Sequence, residues 1–492
     1  MKIGLRDSQI AIVLYAFSLV FLLLMPYLIN HPVGDEASYL IQTKLLLEGK
    51  TQPNWLLSTS YLTMLTGMPF IEFGMSLFSL RLLMVIIGAL STPLMYLILR
   101  EFNIEKYLAI FGALILITNP FVSSHLRQFI TEPISLPLYL LSLWFIVKGI
   151  KTEKNNLMFV GGLFGILGFF NRQFDAIPAL AAILFLLVNS NAWTSKLIGL
   201  NKKLPRTQSL KTILHLIPVA VVVVAYFSYL YLTAGGFTNP VTVPYTNEHA
   251  LLKPQFGINL QSVFRLMQDL IFVGFMIFPF SLFIRRHVKG ELGPFKISQQ
   301  LVVISSVLIG ILAVLSGKEY IVYSNQILVF IVVSLFAYSS LNLGLLIIEN
   351  RKSSVIMNYI FLAAISCVTF TVLKIGVFIL KYYIIFLPLI LIFLTSKIKS
   401  KLPYIITILI MGVYSVALNL NDVQFQTKVW NEVDSLVNSG VDPTNIQSTY
   451  TVVNWLSNSV DNPKAEYNII FDRHPVLSGF IDIESIRTVH QR

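Results

Sequence analysis

Two adjacent carboxylates, Asp35 and Glu36, follow the first apolar segment of the chain. From Ala37 onward, apolar residues recur on one helical face, which predicts an amphipathic helix at a membrane surface. The helix dipole and the free N–H groups favour a charged carboxylate at such a helix N-terminus by about 0.3–1 kcal/mol. Asp35 therefore has the character of a general base or a metal ligand. Helix capping is the alternative role, although capping accounts for only one of the two acids.

Three further sites place ionisable side chains beside apolar segments. They are Glu132 with Arg127 close by, the nearly loop-free Arg172–Asp175 junction, and Lys381 with Tyr382 before a segment that contains Pro388. Ionisable groups at a membrane edge are costly, so they tend to pair with one another or to serve a function. Plain ion pairs of Glu132 with Arg127 and of Arg172 with Asp175 are the structural alternatives. For Lys381 the alternative is anchoring at the membrane interface.

The composition is that of a polytopic membrane protein, because 55% of the 492 residues are hydrophobic and only 12% are charged. A net charge of +12 would suit nucleic acid, but no basic, aromatic-interleaved soluble module carries it, so no nucleic-acid partner is expected. The single cysteine, Cys367, excludes an intrachain disulfide and a cysteine-based metal site.

Hydropathy predicts about 13 transmembrane helices. They cover 10–29, 80–99, 107–121, 133–148, 157–171, 175–190, 212–233, 263–284, 297–316, 322–346, 355–373, 382–396 and 402–420. The first is long enough to span a bilayer, and no cleavage site follows it, which predicts a retained helix rather than a signal peptide.

The distribution of charge predicts the orientation. With a cytoplasmic N-terminus, the cytoplasmic segments hold 21 of the 36 Lys and Arg residues but only six of the 24 acids. The positive-inside rule therefore places the 30–79 loop, the polar 234–261 loop and the tail outside the cytoplasm. We expect a transmembrane domain over 1–420 and a small extracytoplasmic α/β domain over 421–492, with a strand over 467–471 and a helical piece over 451–457. The protein would reside in a plasma or inner membrane, or in the endoplasmic reticulum of a eukaryote.

Together these motifs resemble the GT-C superfamily of integral membrane glycosyltransferases. The resemblance rests on the Asp35–Glu36 pair after the first span, Glu132 at the fourth, Arg172-Gln173 between the fifth and sixth, and Lys381-Tyr382 before a late span. The layout is most similar to protein O-mannosyltransferase-like and lipid A aminoarabinose transferase-like members. The Gly235–His249 stretch resembles, more loosely, the dolichyl-phosphate-glucose-dependent glucosyltransferases of N-glycan assembly.

The resemblance implies an inverting enzyme that takes a sugar from a polyprenyl-phosphate donor, dolichyl or undecaprenyl. The acceptor would be a glycan, lipid or protein hydroxyl on the non-cytoplasmic side, and membrane lipid would surround the donor's tail. Asp35 is then the base, and Glu36 orients the acceptor, holds the helix or supports Asp35. The remaining roles are phosphate binding by Arg127, Arg172, Lys381 and Tyr382, and sugar or acceptor binding by Glu132, Glu248 and His249.

No His–carboxylate constellation is evident, so no obligatory metal is expected, although a divalent cation is compatible with the available acids. A multi-span transporter or flippase of a lipid-linked or polar substrate is the main alternative function. Transporters usually show structural repeats and polar residues near the membrane midplane. Here the ionisable groups named above lie instead at one surface of the membrane, beside the 30–79 loop. A receptor or assembly factor whose tail binds a partner is the remaining alternative.

Overall fold

The structure is a computed structural model that describes residues 6–25, 31–33, 35–50, 60–190, 206–234, 271, 273–280, 299–315, 326–350, 355–373, 384–447, 467–477 and 480–490. Its helices, numbered in chain order, are α1 (Asp7–Leu24), α2 (Glu36–Leu47), α3 (Tyr61–Glu72), α4 (Leu77–Gly88), α5 (Ser91–Glu101), α6 (Lys106–Thr118), α7 (Pro120–His125), α8 (Glu132–Thr152), α9 (Asn155–Phe169), α10 (Ile177–Ser190), α11 (Arg206–Ala234), α12 (Gln299–Leu315), α13 (Gln326–Asn350), α14 (Val355–Leu373), α15 (Phe386–Lys397) and α16 (Leu402–Asn438). Short 3-10 turns cover Gln173–Ala176 and Pro443–Asn445.

Six helical segments of the described part are long and apolar enough to cross a membrane. They are Asp7–Leu24, Leu77–Glu101, Glu132–Thr152, Ser209–Tyr229, Phe330–Ile347 and Leu402–Asn438. Several shorter apolar helices lie between them. The chain is therefore a polytopic helical membrane protein, as predicted, while the number of thirteen spans stays a prediction.

Glycines let neighbouring helices of the bundle approach closely. A Cβ added at Gly161 of α9 would lie 2.7 Å from the Ile146 side chain of α8, and one at Gly149 would lie 2.7 Å from Met158. Small residues serve this purpose in membrane bundles, because helix association there depends on close packing. The glycines thus let α8 and α9 pack side by side, so the start of α8 and the end of α9 lie at the same end of the bundle.

One end of the bundle gathers charges that the sequence assigns to the cytoplasmic side. Arg100 Nε lies 3.4 Å from Asp7 Oδ1, and Lys106 Nζ lies 4.0 Å from the same oxygen. Lys151 Nζ lies 3.2 Å from Glu101 Oε2. The start of α1, the end of α5, the start of α6 and the end of α8 therefore meet at one end, as an alternating topology requires.

The last helix is longer than the sequence indicated. The last span was predicted to end at residue 420, but α16 continues without a break to Asn438. Beyond it, β1 (Ile446–Gln447) pairs in parallel with β2 (Tyr467–Leu477), and β2 pairs antiparallel with β3 (Phe480–His490). The predicted strand over 467–471 lies within β2, whereas the predicted helical piece over 451–457 falls outside the described residues. The division into domains at residue 420 stays a prediction, and that position lies inside a helix.

Candidate active site

Glu36 is a buried carboxylate whose two oxygens accept four hydrogen bonds. Arg81 donates from Nε to Oε1 at 2.9 Å and from Nη2 to Oε2 at 2.5 Å. The backbone N–H groups of Val33 and Phe129 each donate at 2.8 Å. Burying a charge is costly unless it is paired and hydrogen-bonded, and Glu36 meets both conditions. Of its three expected roles, this arrangement favours holding the start of α2.

Arg81 is a site residue that the sequence analysis missed. Its Nη2 also donates to the His31 carbonyl at 2.9 Å, so one guanidinium joins the chain before α2 to the first residue of that helix. Arg81 is the one charged residue in the sequence of α4. A lone charge in an apolar helix signals a buried partner, and this signal was present in the sequence.

Asp35 precedes α2 at the N-cap position and is half-buried. Its backbone carbonyl accepts the N–H of Tyr39 at 3.3 Å, but its side chain accepts no capping hydrogen bond from the first turn of this described helix. The capping alternative therefore has no support in the geometry. The two neighbouring acids differ in burial, because Glu36 is fully buried while Asp35 is half-buried.

Helix α2 packs on protein rather than only on a membrane surface. Tyr39 and Leu40 are buried with Leu80, Met84, Phe129, Ile130 and Ile134 in one apolar cluster. Phe129 and Ile130 of this cluster lie within the irregular segment 126–131, and the backbone N–H of Phe129 also donates to Glu36. The carboxylate loop and the 126–131 segment are thus held together by both apolar and polar contacts.

The start of α8 contacts the α9–α10 junction through polar side chains. Glu132 pairs with Arg172, whose Nη1 lies 2.5 Å from Glu132 Oε1. The Asp175 carboxylate accepts the Ser135 hydroxyl at 2.6 Å and 2.5 Å. Arg172 and Asp175, given above as an alternative ion pair, thus each contact a residue of α8.

Arg127 faces the last helix. Its Nε donates to the Ser123 carbonyl at 3.2 Å, and its Nη2 donates to Oδ1 of Asn419 in α16. Asn419 also donates to the Ser415 carbonyl at 2.7 Å, which fixes its orientation. Arg127 and Arg172 are both buried, so the segment between α7 and α8 has a guanidinium near each end.

Asn171 links three parts of the site and was not singled out as a site residue. Its Oδ1 accepts the backbone N–H and the hydroxyl of Thr63 at 3.1 Å and 2.7 Å. Its Nδ2 donates to the Thr131 carbonyl at 2.8 Å. The amide therefore joins α3 of the first loop to the residue before Glu132, and it directly precedes Arg172.

The remaining predicted site residues fall outside the described part of the chain. They are Lys381, Tyr382, Glu248 and His249. The described elements nevertheless bring Asp35, Glu36, Arg127, Glu132 and Arg172 to one end of the bundle. No group of three or more potential metal ligands occurs among the described residues, and the metal requirement stays untested.

Comparison with known proteins gives one family match. Residues 61–203 match the family described as dolichyl-phosphate-mannose-protein mannosyltransferase. The predicted resemblance is confirmed over this segment. No curated protein sequence matches the chain.

Solved structures with a related arrangement include two of ArnT from Cupriavidus metallidurans. The apo form has a TM-score of 0.43 and 13% identity, covering 92% of this chain and 85% of ArnT. The form bound to undecaprenyl phosphate has a TM-score of 0.40 and 13% identity, covering 92% and 84%. The apo oligosaccharyltransferase of Archaeoglobus fulgidus has a TM-score of 0.40 and 13% identity over 86% of this chain and 56% of its own.

The segment that matches the mannosyltransferase family contains most of the site. It includes Arg81, Arg127, Glu132, Asn171 and Arg172. Asp35 and Glu36 precede the segment, and α16 follows it. Glu36 nevertheless contacts the matched segment through Arg81 and the backbone of Phe129, so the carboxylate pair adjoins that segment.

Proposed function

We propose that the protein is an inverting glycosyltransferase with a GT-C fold, which moves a sugar from a polyprenyl-phosphate donor to an acceptor hydroxyl. The observation that carries this proposal is the position of Asp35. Its neighbour Glu36 is anchored by Arg81 to the segment that matches the mannosyltransferase family. That segment supplies two further buried guanidinium groups, so a carboxylate and cations belong to one connected site, as transfer from an anionic carrier requires.

Asp35 acts as the general base in this proposal. Its carboxylate takes the proton of the acceptor hydroxyl while the hydroxyl oxygen attacks the anomeric carbon from the face opposite the phosphate. The bond between the anomeric carbon and the phosphate oxygen breaks, and its electron pair stays on that oxygen. Glu36 acts as a positioning residue, since its oxygens are already occupied by Arg81, Val33 and Phe129.

Cations stabilise the departing polyprenyl phosphate, because it leaves as an anion and needs charge stabilisation rather than a proton. Arg127 and Arg172 can bind the phosphate because their side chains are held in fixed orientations. Guanidinium groups form bidentate hydrogen bonds with phosphate oxygens. Lys381 and Tyr382 are proposed to complete the phosphate site. Glu132 orients Arg172 through their 2.5 Å contact, and Glu248 and His249 bind the sugar or the acceptor.

The topology follows from the same proposal. Thirteen spans with a cytoplasmic N-terminus place Asp35 and the tail domain of 421–492 outside the cytoplasm. The clustering of Asp7, Arg100, Lys106 and Lys151 at one end supports this orientation, because basic residues concentrate on the cytoplasmic side. The acceptor is a glycan, lipid or protein hydroxyl on the outer side, and no obligatory metal takes part.

The test is release of polyprenyl phosphate from dolichyl- and undecaprenyl-phosphate sugars by the purified protein, with and without EDTA. General-base catalysis contributes about 10²–10⁴-fold, so Asp35→Asn should lower the release rate by at least ~100-fold. Glu48→Gln is the matched control, because Glu48 is an exposed acid at the other end of α2. Undiminished release by Asp35→Asn would refute the assignment of the base.

A transporter or flippase is the alternative function, favoured only by the number of apolar helices. Reconstitution into vesicles separates the two. Movement of a lipid-linked sugar across the bilayer without release of polyprenyl phosphate would establish transport and refute transfer.

A further inference from the structure

The end of α16 contacts the chain directly before the carboxylate pair. The His31 ring stacks on the Trp430 indole with a centroid distance of 4.4 Å and an interplanar angle of 8°. His31 Nε2 lies 3.3 Å from Asp434 Oδ2, one helical turn beyond Trp430. Both contacts come from the part of α16 that extends past the predicted end of the last span.

This contact continues to Glu36 through a single guanidinium. The His31 carbonyl accepts Arg81 Nη2 at 2.9 Å, and the same nitrogen donates to Glu36 Oε2 at 2.5 Å. Glu36 directly follows Asp35 in the sequence. A shift of His31 would therefore move the acceptor that helps to orient Arg81, and with it the carboxylate that fixes the start of α2.

The same helix holds the site at a second point. Asn419 Oδ1 accepts a hydrogen bond from Arg127 Nη2. Three α16 residues that face the protein interior are buried, namely Asn419, Gln426 and Trp430. Residues 419 and 430 lie three helical turns apart, about 16 Å along the axis. The helix thus contacts both the 126–131 segment and the chain before α2, which fixes these two parts of the site relative to each other.

We infer that the α16 extension, residues 421–438, positions Asp35 for the transfer reaction through His31, Arg81 and Glu36. This inference rests on the proposed function. The His31–Asp434 pair itself is partly exposed, with side-chain exposures of 27% and 49%. Such pairs contribute little to stability, but small displacements of reacting groups reduce rates strongly. The signature of positioning is therefore a slower reaction at unchanged stability.

The experiment compares Asp434→Asn and His31→Phe in the full-length protein. Phe keeps an aromatic ring on Trp430 but removes the contact with Asp434. For each variant we expect kcat for polyprenyl-phosphate release to fall by about two- to fivefold, with the donor KM and the melting temperature unchanged. The double variant should lose no more activity than either single variant, because the two residues act through one contact.

Hydrogen–deuterium exchange provides a readout that needs no activity. We expect faster exchange over 31–47 in Asp434→Asn. Asn431→Ala is the control, since Asn431 is an exposed polar residue of the same helix three positions before Asp434, and it should change neither exchange nor kcat.

Three outcomes separate the positioning role of α16 from the proposed glycosyltransferase function. Unchanged exchange over 31–47 in Asp434→Asn would overturn the inference, because the helix would then not hold the loop. Faster exchange with unchanged kcat would also overturn it, since the contact would hold the loop without affecting the reaction. A wild-type protein that releases no polyprenyl phosphate would refute the proposed function instead, and exchange would still report whether α16 holds the loop.

Discussion

Two ion pairs at the candidate site differ in burial from those at the opposite end of the helix bundle. At the predicted cytoplasmic end, the Arg100 and Asp7 side chains are 27% and 41% exposed. At the site, the Arg81 and Glu36 side chains are 3% and 0% exposed, and those of Arg172 and Glu132 are 6% and 1% exposed. The buried pairs are also shorter, at 2.5 Å each, than the 3.4 Å between Arg100 Nε and Asp7 Oδ1. Burial and close contact therefore both distinguish the pairs at the site.

This difference indicates what each set of charges does. Exposed pairs cost little to form and contribute little to stability. Buried pairs carry a desolvation cost that apolar residues of similar size would avoid. A chain that keeps two such pairs at one end of an otherwise apolar bundle uses them to hold charged groups in fixed positions. The comparison therefore favours the end that contains Asp35 as the reactive end.

Removing a buried carboxylate should have the largest effect. Glu36→Ala leaves Arg81 inside the protein without its carboxylate partner, so we expect a loss of about 3–5 kcal/mol in the free energy of unfolding. Thermal unfolding in detergent measures this loss. Glu48→Gln is the control, since Glu48 pairs with Lys50 at 2.8 Å on the surface, and it should leave the melting temperature unchanged. Equal destabilisation by both variants would contradict the contrast between buried and exposed pairs.

A paired replacement sharpens this test. Glu36→Leu combined with Arg81→Met removes both charges and restores an apolar interior, which often recovers the stability of a buried ion pair. We expect the double variant to unfold close to the wild-type temperature yet to release polyprenyl phosphate slowly. Full activity in the stable double variant would show that the pair does not position Asp35.

A smaller effect is expected at the α9–α10 junction. A Cβ added at Gly168 would lie 2.5 Å from Asp175 Cβ, and the Gly168 carbonyl accepts the N–H of Arg172 at 2.6 Å. Gly168→Ala should therefore displace both residues and lower the free energy of unfolding by about 1–3 kcal/mol. Helix propensity alone predicts the opposite sign, because replacing Gly by Ala inside a helix stabilises it by ~1 kcal/mol.

Gly412 offers the matched control for this substitution. The nearest atom to a Cβ built there is 4.0 Å away, on Thr118. Gly412→Ala in the membrane-spanning part of α16 should leave stability unchanged or raise it slightly. If both alanine variants behaved alike, close packing at Gly168 would not be what fixes the junction.

The sequence predicted the positions of helices better than the contact partners of charged side chains. The apolar helices among the described residues, the helix after Asp35 and the short Arg172–Asp175 junction agree with the sequence because hydropathy and spacing are local properties. The sequence left the partners of Glu132 and Asp175 open, since they depend on which helix ends lie side by side. Arg81 was missed for the same reason, because its partner is 45 positions away in the sequence. The extension of α16 was also missed, as its polar residues ended the hydropathy signal at residue 420.

The smallest effect should come from the opposite end of the bundle. Lys151 donates to the Glu101 carbonyl at 2.8 Å and to its carboxylate at 3.2 Å, but its side chain is 34% exposed. Lys151→Gln should lower the free energy of unfolding by no more than ~1 kcal/mol, and less in high salt, because water and ions screen such a pair. The release rate of polyprenyl phosphate should not change. A loss as large as that of Glu36→Ala would mean that burial does not separate the two ends, and the assignment of the reactive end would lose its physical basis.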